Sequence, residues 1–355
     1  MISTPSPPPT LVIVNDVGLS DHHGSKMVTA RLVDGFASRG FRVLAIPAGT
    51  SWRDHEEEID RANVVVVNGE GTLHHSAPAA VELMAIAPYC QSRAIPVFLV
   101  NSVWQDNSRM MAQQAKSFAG CFVRESRSQQ ELAAHGVTAE VVPDLVVGWP
   151  EKAGSDERSG LLVTDSVKLE DTGQLAKLAK KTPGARFTTL HPAAGSPTDL
   201  ATHPFRRLDR RKGPGVWSEI RKRAYRLRGD LYQANRRSRG QQVDYSLDGF
   251  FEALSSSQLL ITGRYHAVCM ALVTRTPFFA LGSNSHKVES MLEDAGLSHR
   301  LVDLGALREA GADQSGWDAS DDSRAAAYCE AAKASQEQMF DRISQAATAT
   351  GGDGT

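Results

Sequence analysis

Residues 64–72 read Val64-Val65-Val66-Val67-Asn68-Gly69-Glu70-Gly71-Thr72. Four β-branched residues in succession, closed by a glycine-containing turn, suit a strand buried on both faces. A helical pattern follows from about Ala79 to Arg93. Strand, tight turn and helix form the repeating unit of a parallel sheet, since parallel neighbours need a crossover connection.

The same alternation runs outward in both directions. Before it stand a strand at Leu11–Val14, a polar loop from Asn15 to Lys26, a helix over Val28–Arg39 and a strand over Phe41–Pro47. After it come strands near Pro96–Asn101, Gly120–Arg124 and Thr138–Pro143, with helical stretches between them. Gly148–Gly160 is polar and aperiodic, which marks a linker. The pattern resumes with Leu161–Thr164, Arg186–Leu190, Gln258–Gly263, His266–Val273, Pro277–Leu281 and Val288–Ala295. The expected class is therefore α/β with two Rossmann-like domains. We assign residues 1–9 to a disordered tail and 10–150 to an N-terminal, acceptor-side domain. Residues 151–310 form a C-terminal, donor-binding domain with a basic insertion at 200–242. Residues 311–355 form a helix returning to the domain interface, then a tail.

Composition excludes several classes. The chain has 355 residues, 41% of them hydrophobic, so a disordered chain does not fit. No apolar run reaches about 18 residues, which excludes a transmembrane helix. The first ten residues lack a basic region followed by an apolar core, so they do not read as a signal peptide. The four cysteines, Cys90, Cys121, Cys269 and Cys329, are widely spaced and read as reduced thiols of a cytoplasmic protein.

Ligands of open α/β sheets bind beyond the carboxyl ends of the strands. Those positions here hold Asn15, His22 and His23; Asn68, Glu70, His74 and His75; Arg124; Asp144; Gly263, Arg264 and His266; and Asn284, His286 and Lys287. With His191, seven of the eleven histidines fall on strand-to-helix loops at one rim, which marks that rim as the site. Glu70, beside two histidines, suits a general base, or else a helix-terminal acid that offsets the dipole. In Ile261-Thr262-Gly263-Arg264-Tyr265-His266, the arginine offers a bidentate grip on carboxylate or phosphate, and the histidine can carry a proton. The plainer alternative pairs Arg264 with a structural carboxylate. The double-histidine loops lack H-x-x-x-H or H-x-H spacing, so neither a metal nor another cofactor is expected.

Arg264-Tyr265-His266-Ala267, Pro277 within a strand and Lys287 in the next loop resemble the polysaccharide pyruvyl transferases. So does Val123-Arg124-Glu125-Ser126, followed by Leu132, Gly136-Val137 and Pro143-Asp144. The resemblance spans roughly Leu11 to Leu297 and is most specific in the C-terminal motif. It implies two domains facing each other across a cleft, as in GT-B enzymes. It also implies phosphoenolpyruvate as donor and a pyruvate ketal on a sugar of a cell-surface glycan such as capsule or lipopolysaccharide. On this reading Glu70, His266, His23 and Asp144 are catalytic. Arg264, His266, Lys287, His286, Gly263 and Asn284 bind the donor, and Asn15, His22, Asn68, His74, His75 and Arg124 bind the acceptor. The same residues would also serve a GT-B glycosyltransferase that uses a CMP-, UDP- or GDP-sugar on a glycan or lipid-linked acceptor.

The net charge of −2 conceals an asymmetry. Between Arg206 and Gln241 stand thirteen Lys/Arg and three Asp/Glu, so the rest of the chain is acidic. Within it Trp217, Ile220, Ala224, Leu227 and Leu231 recur at helical spacing among arginines and lysines. That pattern fits a basic amphipathic helix on an anionic membrane surface, the inner face here, or one docked on its own domain. No nucleic-acid-binding motif accompanies it, so nucleic acid is not an expected partner. Removing residues 206–239 should abolish co-sedimentation with anionic liposomes if the helix is a membrane anchor; unchanged binding would discard the anchor.

Overall fold

The computed structural model of the chain describes residues 7–150, 157–191, 199–209, 246–305 and 316–349. The larger domain contains β1 (Thr10–Asp16), α1 (His23–Ala37), β2 (Arg42–Pro47), α2 (Glu56–Asp60), β3 (Val64–Asn68), α3 (Pro78–Met84) and α4 (Ile86–Gln91). It continues with β4 (Val97–Ser102), α5 (Arg109–Ala115), β5 (Gly120–Val123), α6 (Ser126–Ala134) and β6 (Glu140–Val141). The smaller domain is built on β7 (Leu161–Ser166), α7 (Leu169–Lys181), β8 (Arg186–Thr188), α8 (Leu247–Ser255), β10 (Leu259–Gly263), α9 (Tyr265–Val273), β11 (Phe278–Ala280) and α10 (Lys287–Asp294). A long helix, α11 (Ala319–Ala349), closes the chain.

Two parallel sheets result, with strand orders β6-β5-β4-β3-β1-β2-β9 and β11-β10-β7-β8. The extra strand β9 (Arg206–Arg207) pairs with β2, so this stretch lies on the larger sheet and not with the C-terminal half. Most of the basic segment, residues 210–245, lies outside the described residues, and the amphipathic helix read from the sequence falls there. No helix among the described residues is long and apolar enough to cross a membrane.

Strand chemistry explains the layering. Side chains alternate faces, so a strand covered on both sides reads as an unbroken apolar run. In β1, Leu11 and Ile13 join the inner core, while Val12 and Val14 join the outer one. In β3, Val64 and Val66 face inward and Val65 and Val67 outward. The inner core continues into the smaller domain through Leu162, Leu260 and Phe250, and into α11 through Ala325, Met339 and Phe340. All nine residues of α9 are buried, so this helix has no solvent face.

Two boundaries differ from the sequence reading. The helical stretch 79–93 is two helices, because Pro88 has no N–H for the carbonyl of Met84 and its ring crowds that turn. The helix expected from Val28 begins five residues earlier, at His23. Its first turn is buried between the domains, and that burial stabilises weak helix formers such as Gly24 and Ser25.

Helix α1 packs against α11 through a glycine. A β-carbon at Gly35 would lie 2.5 Å from the Phe340 ring. Gly35→Ala should therefore overpack the contact and destabilise by about 1–3 kcal/mol, read as a lower urea midpoint. Adding Phe340→Leu should recover part of that loss.

Candidate active site between two switch points

In each sheet the strand order reverses once between neighbours: between β1 and β3 in the larger, and between β7 and β10 in the smaller. A crevice opens at such a reversal, because the crossovers leave in opposite directions. The carboxyl ends of β1 and β3 supply Asn15 and Glu70; those of β7 and β10 supply Asp165 and Arg264.

Glu70 and His266 meet across the domain boundary. His266 Nε2 lies 3.7 Å from Glu70 Oε1 and 3.7 Å from Asp144 Oδ2. All three residues are buried, with His266 8% exposed. Glu70 Oε1 accepts the hydroxyl of Ser25 at 2.7 Å, and its backbone N–H donates to Asn68 Oδ1 at 3.2 Å. Glu70 Oε2 and His266 Nε2 have no hydrogen-bond partner among the described residues. The first turn of α1 presses against the imidazole, and a β-carbon at Gly24 would lie 2.2 Å from the His266 ring. Only glycine permits that approach. Asp144 also accepts from Arg124 Nη1 at 2.9 Å and, through Oδ1, from the Val146 N–H at 2.9 Å.

Tyr265 forms the floor beneath the cations. The Arg124 guanidinium lies 4.8 Å from its ring centroid and Lys287 Nζ 5.9 Å. Burial lowers the Lys287 ammonium to a pKa of about 8; Arg124 lowers it further, while Glu70 and Asp144 oppose the shift. Lys287 Nζ donates to Asn284 Oδ1 at 2.9 Å. Arg264 pairs with Asp165 and approaches His191 Nε2 at 3.5 Å, so the plainer pairing with a carboxylate is present. His22 lies 5.1 Å from His266 and 5.8 Å from His191, ring to ring. Burial, then the neighbouring His266 and Arg264, holds its pKa well below the ordinary value, so His22 is neutral at pH 7.

Other residues singled out in the sequence stand apart from this group. His23 turns to Phe250 in the core, with ring centroids 6.2 Å apart. Asn15 and Asn68 use their amides on each other's backbone: Asn15 Nδ2 donates to the Asn68 carbonyl at 2.7 Å, and Asn68 Nδ2 to the Asn15 carbonyl at 3.2 Å. They brace the ends of β1 and β3. His74 and His75 face each other through Nδ1 at 3.0 Å, and exposed His75 reaches Asp106 at 3.4 Å. Gly263 lets β10 approach β7, since a β-carbon there would lie 2.3 Å from the Ser166 side chain.

His286 turns toward the larger domain. Its Nε2 lies 3.4 Å from Glu125 Oε1 and its Nδ1 3.7 Å from Glu131 Oε1. Burial alone would lower its pKa, but the two carboxylates outweigh burial and Arg127, and the pKa is raised. Alongside, Arg127 grips Glu293, and Asp294 accepts from the Ser126 N–H at 2.9 Å. These contacts dock α6 on α10.

Sequence reasoning missed Ser25, Glu125, Asp165 and Tyr265 as parts of the group. Asp165 was the recoverable one, because it immediately follows a predicted strand, Leu161–Thr164. Tyr265 sits inside the motif but reads as core.

The polysaccharide pyruvyl transferase family model matches residues 28–285. No curated protein sequence matches the chain. Among solved structures, the chain is similar to α,α-trehalose 6-phosphate synthase from Burkholderia multivorans, at 11% identity and a TM-score of 0.50, with 98% of this chain and 99% of that chain covered. It is also similar to UDP-GlcNAc 2-epimerase from Methanocaldococcus jannaschii, at 10% identity and a TM-score of 0.44, with 80% and 86% covered. Together with the two parallel sheets, the likeness to the trehalose 6-phosphate synthase gives the fold as the two-domain α/β architecture of GT-B enzymes.

The raised pKa of His286 fixes a sign. Its pairing with Glu125 and Glu131 contributes stability that is fully present below the ordinary value of 6.5 and is lost as pH rises through the higher folded value. His286→Gln should remove that part of the pH dependence of the urea midpoint; an unchanged pH slope would mean the pair contributes nothing.

Proposed function

This chain belongs to the polysaccharide pyruvyl transferase family, and from that premise we propose that it transfers pyruvate from phosphoenolpyruvate onto two hydroxyls of one sugar. The product is a cyclic ketal on a cell-surface polysaccharide. One observation carries this reading: an imidazole equidistant from two buried carboxylates, bordered by cations, at the junction of both domains.

Phosphoenolpyruvate brings a carboxylate and a phosphate, which need cationic partners. Lys287, Arg264 and Arg124 supply them. The reaction starts with proton transfer from His266 to the enol methylene carbon, which becomes the methyl group. Positive charge then develops at C2, and Glu70 and Asp144 stabilise it. One sugar hydroxyl adds to C2, and the C–O bond to phosphate breaks. The second hydroxyl closes the ketal. Of the two hydroxyl protons, one restores His266 and the other leaves with phosphate, so the sum is ketal plus inorganic phosphate.

Thermal shift on the full chain tests the donor. Phosphoenolpyruvate at a hundredfold over its Kd should stabilise by about 2.7 kcal/mol, and CMP-, UDP- and GDP-sugars should not. Stabilisation by a nucleotide sugar alone would favour glycosyl transfer instead. His266→Ala should lower kcat by about 10²–10⁴. Phosphoenolpyruvate affinity should fall as pH rises through about 8, where Lys287 loses its charge, and Lys287→Met should flatten that profile.

A further inference from the structure

An open cleft of about 330 Å3 has His75, Gln105 and Arg127 of the larger domain on one wall and residues 283–286 and Glu289 of the smaller domain on the other. That volume is at the small end of the range of about 300–1,000 Å3 for small-molecule sites, and suits a single compact unit. None of the groups assigned to acid–base chemistry lines it.

The charges in its walls are largely spent. Arg127 is held by Glu293, His286 by Glu125 and Glu131, and His75 by Asp106. The Gln105 amide is committed at both ends, accepting from the His286 N–H at 2.8 Å and donating to Asp106 at 3.2 Å. What remains is hydroxyl and carboxylate chemistry. Ser285 is 6% exposed, and its Oγ has no hydrogen-bond partner among the described residues. Glu289 Oε2 has none either. Buried polar groups are costly without partners, so these two mark where a ligand supplies them. A sugar hydroxyl both donates and accepts, and so can meet a serine and a carboxylate together. An acidic sugar would meet the charge of Glu289 without a spare cation.

The cleft also communicates with the reacting centre. Asn284 Oδ1, on its rim, holds Lys287 Nζ, and Lys287 lies over the same Tyr265 ring as Arg124, the partner of Asp144. We infer that this cleft binds one uncharged pyranose unit of the acceptor glycan, with Ser285 and Glu289 as its hydroxyl partners. The inference rests on the transferase reading above and names the acceptor side that reading leaves open. It also moves the acceptor away from Asn15, Asn68 and His74.

Saturation-transfer NMR on the full chain tests it, using methyl β-galactopyranoside, methyl α-glucopyranoside and methyl glucuronide as probes. The neutral pyranosides should give transfer, and the glucuronide should give none. Ser285→Leu should weaken neutral-sugar binding by at least about tenfold, and Glu289→Gln by a few-fold while admitting the glucuronide. Phosphoenolpyruvate-induced thermal shift should be unchanged in both variants. If Ser285→Leu lowers the melting temperature, Glu289→Gln carries the comparison. Absence of transfer from both neutral sugars, equal transfer in the variants, or a preference for the glucuronide would overturn the assignment. Loss of the phosphoenolpyruvate shift in wild type, with sugar binding intact and sensitive to Ser285, would instead overturn the donor and leave the cleft standing.

Discussion

Arg124 and Asp144 form an ion pair 2.9 Å long, at 1% and 0% exposure, and the centre of the molecule is arranged around it. Removing two charges from water costs several kcal/mol for each ion, and their attraction offsets this only with good geometry and further partners. Several of those partners are present, although Arg124 Nε has none among the described residues. Asp144 takes the Val146 N–H and borders His266, while the guanidinium lies on the face of Tyr265. Both charges come from the larger domain, whereas the aromatic floor and the imidazole come from the smaller one. The contacts with Tyr265 and His266 therefore form only when the domains are together. Breaking it by removing one partner would leave a buried charge, a loss of about 3–5 kcal/mol.

Charge state at this centre is decided by burial and by neighbours, and not by residue type. His22 lies among His266, Arg264 and His191 and stays neutral, while His286, facing Glu125 and Glu131, has its pKa raised. Lys287 sits between these regimes, lowered by burial and by Arg124 yet held up by two carboxylates. A counted total of histidines on one rim thus overstates the charge available there. The working cations are fewer than the sequence displays.

The fold was readable because both sheets are covered on both faces. Runs such as Val64–Val67 suit strands buried on both faces, and turns at their ends locate the rim. That rule brought Glu70, Asp144, His266 and Lys287 to one neighbourhood. It failed for His23, because successive residues at a helix start diverge by about 100°. His22 faces His266 and His191, and His23 faces Phe250. Distant pairings were not readable at all: Asp165 for Arg264 and Ser25 for Glu70 depend on how two domains dock. The two-residue strand β9 left no pattern to find, and its partner lies some 160 positions earlier in the chain.

That strand bears on how the protein folds. Arg207 leaves the smaller half to pair with Asp16, which also accepts from Thr29 Oγ1 at 2.7 Å, and β9 covers the β2 edge. Without it, the larger half would keep an unneutralised buried aspartate and an open sheet edge. The inner core, too, runs unbroken from β1 through Phe250 to α11. The two halves therefore share one core and one sheet edge: the first to emerge from the ribosome must wait for residues beyond 200 before its own sheet is complete.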